Sequence, residues 1–199
     1  MFTGLVQTIG HIKTITPLGN GIECTIKADS EFVDDITIGD SININGICST
    51  ATSKTTTTFN VQYLEETLNK TTMKKVKQSD IINLEPCLTL ETKLGGHLVS
   101  GHIDETGIIK SLEYDGKWAV IEIKFSKSFA PYLIPKGSIA IDGISLTVVD
   151  VSDDWFSCHL IPHTISQTSL QAKSPGDAVN LEFDQIGKYL HRFYQLTQQ

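Results

Sequence analysis

Apolar and polar residues alternate with a period of two along most of this chain. Gly21-Ile22-Glu23-Cys24-Thr25-Ile26-Lys27 and Ser41-Ile42-Asn43-Ile44-Asn45-Gly46-Ile47-Cys48 each put their apolar side chains on one face. That pattern predicts half-buried β-strands. Asn45-Gly46 inside the second stretch is a hairpin-turn signal. Thr3 to Thr16, with Val6, Ile9 and Ile12 among glycines, predicts a further strand, as do the β-branched and aromatic run Thr55 to Leu64 and the segment Ile81 to Glu85. Asp35 to Gly39 reads as a short connection, and Leu64 to Lys70 as a short helix or turn. Further along, Lys117 to Lys124 is a strong strand, Pro131 and Pro135 mark a loop, and Asp153-Asp154 turns into a strand running through His159. Only the tail changes period. Ile186, Tyr189, Leu190 and Phe193 recur at helical spacing with Lys188, His191 and Arg192 between them. A lone helix of about 12 residues is marginal in water, so this one must pack on something.

The two halves are copies. At a constant offset, Met1 to Gly10 falls over Leu98 to Gly107, Ser41 to Ile47 over Ser138 to Ile144, and Asp80 to Glu85 over Asp177 to Glu182. No gap is needed, and roughly a quarter of the paired positions are identical, over a unit of about 85–97 residues. Such a unit is one small domain and not a solenoid repeat. Short strands at regular spacing predict one closed antiparallel barrel per copy. The chain therefore reads as all-β: residues 1–94 form one barrel, 95–185 a second, and 186–199 a terminal helix with no counterpart in the first copy.

Of the 199 residues, 40% are hydrophobic and 20% charged, as in ordinary globular proteins. The net charge of −7 argues against a nucleic-acid partner, which needs a basic footprint, and against an anionic membrane surface. Paired nucleic-acid-binding barrels would also need more stacking aromatics than the 8% present. Neither a signal peptide nor a spanning apolar run is visible, and Cys24, Cys48, Cys87 and Cys158 form no C-x-x-C pair. These features predict a cytoplasmic protein with free thiols.

Functional residues should lie where the copies differ. Cys48 falls against Ser145, Leu5 against His102 and Phe2 against Val99, so one copy supplies a thiol and the other an imidazole. His97 and His102 could share a metal, but no cysteine or carboxylate completes a recognisable ligand set, and no metal is expected.

Four motifs together give the chain a family resemblance. They are Met1-Phe2-Thr3-Gly4-Leu5-Val6-Gln7, Asn45-Gly46-Ile47-Cys48, Gly95-Gly96-His97-Leu98-Val99-Ser100-Gly101-His102-Ile103, and Ile141-Asp142-Gly143-Ile144-Ser145-Leu146-Thr147-Val148. Over essentially its full length the sequence resembles the riboflavin synthase family. The resemblance implies two six-stranded Greek-key barrels, a homotrimer and no cofactor. It implies dismutation of two 6,7-dimethyl-8-ribityllumazine molecules, one donating a four-carbon unit to the other, to give riboflavin and a ribitylaminopyrimidinedione. Association with lumazine synthase is left open. Two departures stand out. The first-half motif continues Ser49-Thr50-Ala51 where the family has Leu-Thr-Val, and Pro162-His163-Thr164 replaces Pro-Glu-Thr, whereas the first half keeps Glu66-Thr67. Strand alternation turns Ser49 and Ala51 away from the face carrying Cys48 and Thr50.

The resemblance carries over a set of site residues. His102 is the expected proton shuttle, because imidazole titrates near neutrality. Cys48 or Ser145 adds to the acceptor ring or holds a nucleophile against it. Asp184 orients the second-half site, and Phe2 closes the pocket edge. One ring pocket is expected in the first half from Gly4, Leu5, Val6, Ser41, Cys48, Ser49, Thr50, Gln62, Glu66 and Thr67. The other is expected in the second half from Gly101, His102, Ile103, Lys136, Ser145, Leu146, Thr147, His159, Pro162, His163 and Thr164. A first-half pocket of one chain then meets a second-half pocket of another, which would account for Cys48 and His102 lying in different halves. The rival within the same fold is a non-catalytic lumazine- or flavin-binding protein, in which the glycine–histidine joint tends to be lost.

Overall fold

The computed structural model describes residues 1–198. Its first half contains β1 (Thr8–Leu18), β2 (Gly21–Lys27), α1 (Ser30–Asp34), β3 (Ser41–Ile44), β4 (Ile47–Lys54), β5 (Thr58–Tyr63), α2 (Glu65–Lys70) and β6 (Ile81–Pro86). The second half has β7 (Glu105–Asp115), β8 (Trp118–Lys124), β9 (Ser138–Ile141), β10 (Ile144–Val151), β11 (Trp155–Leu160), α3 (Pro162–Gln167), β12 (Ala178–Phe183) and α4 (Gln185–Thr197). Single 3₁₀ turns at Thr72–Lys75 and Ser169–Ala172 follow α2 and α3, and a third spans Lys127–Tyr132.

Each half closes into an antiparallel six-stranded barrel, β1-β2-β5-β4-β3-β6 in the first and the equivalent circuit in the second. Closure leaves no exposed sheet edge. The alternation seen in the sequence is the reason these segments form strands. In β2 Cys24 and Ile26 are buried, and in β8 Ala119, Ile121 and Ile123 are. The tight turns at Asn45-Gly46 and Asp142-Gly143 have positive φ at both residues, the geometry that Asn-Gly and Asp-Gly accept. The strand expected from Thr3 begins only at Thr8, because the preceding residues are used elsewhere. The five-residue α1 was not expected. It buries only Val33, too little to leave a helical period in the sequence.

The barrels are locked together by matched asparagines. Asn83 Nδ2 donates to Asp142 O (2.8 Å) while its Oδ1 accepts from Ser169 N (2.6 Å). Asn180 repeats this in the other direction, donating to Asn45 O (2.8 Å) and accepting from Thr72 N (2.8 Å). All four bonds satisfy backbone groups that the interface would otherwise leave unpaired. The tail helix α4 is pinned at its root, where Lys188 Nζ reaches Asp104 Oδ2 at 2.8 Å and Asp184 caps the helix by accepting from Ile186 N. Beyond that root Ile186, Tyr189, Leu190, Phe193, Tyr194 and Leu196 are all exposed in the single chain.

Candidate functional site

Two short arms, Met1 to Gln7 and Leu98 to Asp104, build the site region. They meet where the copies are related: Phe2 N donates to Val99 O (2.8 Å) and Val99 N to Phe2 O (3.1 Å). Phe2 and Val99 are fully buried there, packed with Ala140 and against Cys48 and Cys87. Phe2 therefore does not close a pocket edge. It lies behind the site and supports it.

Each arm is held to its own barrel by a buried glutamate. Glu85 accepts from Thr3 N (2.6 Å), Thr3 Oγ1 (2.6 Å) and Gly4 N (3.1 Å). Glu182 accepts from Ser100 N (2.6 Å), Ser100 Oγ (2.7 Å) and Gly101 N (2.8 Å). Burial raises the Glu85 pKa, and the three donors around it work in the opposite sense.

Beyond the glutamate, each arm crosses to the other barrel. Gly101 O accepts from Cys48 N (2.8 Å), and Gly4 O accepts from Ser145 N (2.8 Å). Both glycines have positive φ, and a Cβ on either would lie 2.6 Å from the Cβ of the residue it faces. Val6 packs on the second barrel's core and Ile103 on the first's. The expected grouping by half is thereby corrected. Gly4, Leu5 and Val6 belong with Ser145, and Gly101, His102 and Ile103 belong with Cys48.

The first site is a cavity of about 260 Å³ lined by Ile47, Cys48, Glu66, Thr67, Lys70, Thr71, Gly101, His102 and Ile103. Cys48 and His102, expected in pockets of different chains, thus share one cavity of one chain. Thr50 and Gln62 are exposed on the same outward face of β4 and β5, with Gln62 Nε2 donating to Glu23 Oε2 at 3.0 Å. Ser41, half-buried, pairs with Thr50 across β3–β4. Ser49 is buried inside the barrel, its hydroxyl 2.8 Å from Tyr63 Oη, a phenol whose pKa burial raises. Leu146 and Leu160 occupy the matching positions of the second barrel, both buried. Ser49 and Leu146 are therefore interior side chains and do not contact a ligand on the outer face. The loss of the family's leucine at 49 is met by the hydroxyl pair.

At the second site His97 Nδ1 lies 2.7 Å from Ser145 Oγ. Burial lowers the His97 pKa, against the attraction of Asp184 and Glu182, so the neutral ring is favoured. Asp184 itself caps α4, accepting from Ile186 N at 2.9 Å. Leu5 is exposed beside Gly95, leaving the second site no counterpart of His102. Thr147 is exposed on β10, paired with Ser138. Lys136 holds a left-handed backbone (φ 67°) matching that of Gly39, with its N–H on Val148 O. Pro162, His163 and Thr164 form the first turn of α3, where His163 is exposed. His159 is not gathered with Ser145; it lines a separate hollow of about 260 Å³ with Asp115 and Trp118. His97 is the Ser145 neighbour that comparing the copies missed, since it falls opposite no residue of the first copy. Among the described residues no three His, Cys, Asp or Glu converge as metal ligands, and no helix is long and apolar enough to cross a membrane.

The lumazine binding domain family matches the chain twice, over residues 3–86 and 100–184. The riboflavin synthase of Actinobacillus pleuropneumoniae is 42% identical over 97% of this chain and 89% of its own length. That of Schizosaccharomyces pombe is 38% identical over 98% and 94%. Among solved structures, LumP complexed with riboflavin superposes with a TM-score of 0.87 over 92% of this chain and all of that one, at 22% identity, a likeness of fold. Two matched domains and this level of identity along nearly the whole length establish that the chain belongs to the riboflavin synthase family of tandem lumazine-binding domains.

Proposed function

We propose that the protein is a transferase that dismutates two 6,7-dimethyl-8-ribityllumazine molecules, moving a four-carbon unit from one to the other. The products are riboflavin and 5-amino-6-ribitylaminopyrimidinedione, and no cofactor takes part. The observation that carries this reading is that each barrel's nucleophile has an imidazole near it: Cys48 lines one cavity with His102, and Ser145 Oγ lies 2.7 Å from His97 Nδ1.

A proton must leave the acidic methyl of one lumazine, and the other ring must be activated by addition. His102 shuttles the methyl proton at the first site. Neutral His97 accepts the proton of Ser145, or of a water held against it, at the second. Gly4 and Gly101 bring their carbonyls onto β10 and β4, which fixes the starts of the two strands that carry Ser145 and Cys48. Most of the acceleration comes from holding two flat rings in contact, which makes a bimolecular step nearly intramolecular. Contact requires two sites to face each other. A first site of one chain meeting a second site of the next, in a homotrimer, meets that need, and the exposed apolar side of α4 supports it.

Adding lumazine to the purified protein should produce riboflavin absorbance. Binding without turnover would favour a ligand carrier of the same fold. Cys48→Ala should fold normally and lose at least about tenfold in turnover, equivalent to about 1.4 kcal/mol of barrier. Full activity would remove Cys48 from the mechanism, and a destabilised but active variant would mark it as a packing thiol.

A further inference from the structure

Three residues of α2 line the first cavity, Thr67 and two that can carry charge, Glu66 and, one helical turn on, Lys70. The second-copy counterparts of these two are His163 and Gln167. The first site is bordered by an ammonium group where the second copy carries an amide in its sequence. No carboxylate lies within 4.0 Å of the Lys70 ammonium, since the ion pairs among the described residues are Lys110–Glu122, Lys127–Asp153, Lys173–Asp142 and Lys188–Asp104. Nor is Lys70 Nζ the donor of any hydrogen bond there, in contrast to Lys54, whose ammonium is committed to three carbonyls. The charge at Lys70 is free to act on whatever occupies the cavity.

A lumazine whose methyl has lost its proton is an anion, its charge spread over the ring. The titratable groups bordering this cavity are Cys48, Glu66, Lys70 and His102. The Glu66 carboxylate disfavours such an anion, and Cys48 and His102 are already assigned to addition and proton transfer. Lys70 is the only permanent cation among them. We propose that Lys70 is a substrate-binding residue that stabilises the deprotonated lumazine at the first site, making this site the one where the methyl proton is removed. The proposal rests on the reaction assigned above and adds to it the group that stabilises the anion once His102 has taken the methyl proton.

The test titrates bound lumazine by absorbance, with protein in large excess so that two ligands rarely meet. The wild type is compared with Lys70→Gln, which installs the residue of the second copy, and with Lys70→Arg. An opposite charge within about 4–6 Å lowers an acid's pKa by about one unit or more. Lys70→Gln should therefore raise the apparent pKa of bound lumazine by about one unit, cutting the anion about tenfold at a given pH. Lys70→Arg should restore it, and raised salt should shrink the difference, because an exposed charge is screened. Riboflavin binding, measured on the same samples, should change less than about twofold, since the product carries no such charge. An unchanged titration in Lys70→Gln, with wild-type turnover intact, would overturn the role of Lys70 and leave the reaction standing. A wild type that neither binds nor turns over lumazine would overturn both.

Discussion

Replacing Gly101 by alanine should disable the first site while sparing the second. The glycine sits at φ +83°, and an added Cβ would lie 2.6 Å from Cys48 Cβ and 2.7 Å from Cys48 N. The left-handed backbone alone costs an alanine about 1–2 kcal/mol. Relieving the contact requires the arm and β4 to move apart, at about 1–3 kcal/mol for overpacking. That movement also stretches the bond from Cys48 N to Gly101 O, worth about 1 kcal/mol. The sum is about 4 kcal/mol, and a chain of this size loses about 2–4 °C of Tm per kcal/mol, so Tm should fall by about 8–16 °C. Gly39→Ala is the control. It has the same sign of φ, at +100°, with nothing within 4 Å of the added carbon. It should cost only the backbone strain of about 1–2 kcal/mol, about 2–8 °C of Tm. Calorimetry gives both Tm values, and fluorescence titration with lumazine gives the stoichiometry, expected to fall from two ligands to one per chain in Gly101→Ala. A Gly101→Ala protein that melts with the Gly39→Ala control and still binds two ligands would refute the reading that this glycine exists to let the arm touch Cys48.

Three further outcomes follow from the same geometry. Burial holds His97 below its ordinary pKa of 6.5, so below that pH the unfolded chain binds more protons than the folded one, and stability falls on acidification; His97→Gln should show a shallower loss of Tm between pH about 6.5 and 5, and an identical slope would show that His97 is not the buried group titrating. Asn83→Leu strands Ser169 N and Asp142 O at the barrel interface, and at about 1–3 kcal/mol for each unpaired buried group the cost should be about 2–6 kcal/mol by denaturant unfolding; a loss under about 0.5 kcal/mol would mean the latch is not needed. A chain ending at Gln185 should sediment as a monomer that binds lumazine but turns it over poorly, and a monomer with undiminished turnover would place the whole reaction within one chain.

The barrels were legible because closure imposes a period of two that a single sequence displays, and because the duplication shows each pattern twice. The turns at Asn45-Gly46 and Asp142-Gly143 were legible for a local reason, their tolerance of positive φ. The crossing of the arms was not. An alignment of copies pairs Gly4 with Gly101, whereas space pairs Gly4 with Ser145 and Gly101 with Cys48. No local preference distinguishes those outcomes; the buried carboxylates of Glu85 and Glu182, each tying down an arm before it crosses, decide the path. Retention of a glutamate in both copies at the end of an apolar strand was the available signal, since a carboxylate is buried only where donors await it. The placement of Phe2 was missed for a related reason. The resemblance gave Phe2 a place at the pocket edge, but its bridge to Val99 joins the two arms and buries its ring completely.

The crossing of the arms also bears on how unlike sites can arise from like halves. Two separate, identical half-chains exchanging arms would form two identical sites, and whatever stood at position 5 would stand in both. Once the halves share one chain, each arm serves a single site, and each position can change without altering its twin. Leu5, next to the glycine that faces Ser145, and His102, next to the one that faces Cys48, show that divergence: within one covalent chain, a symmetric pair of arms is free to carry unlike side chains.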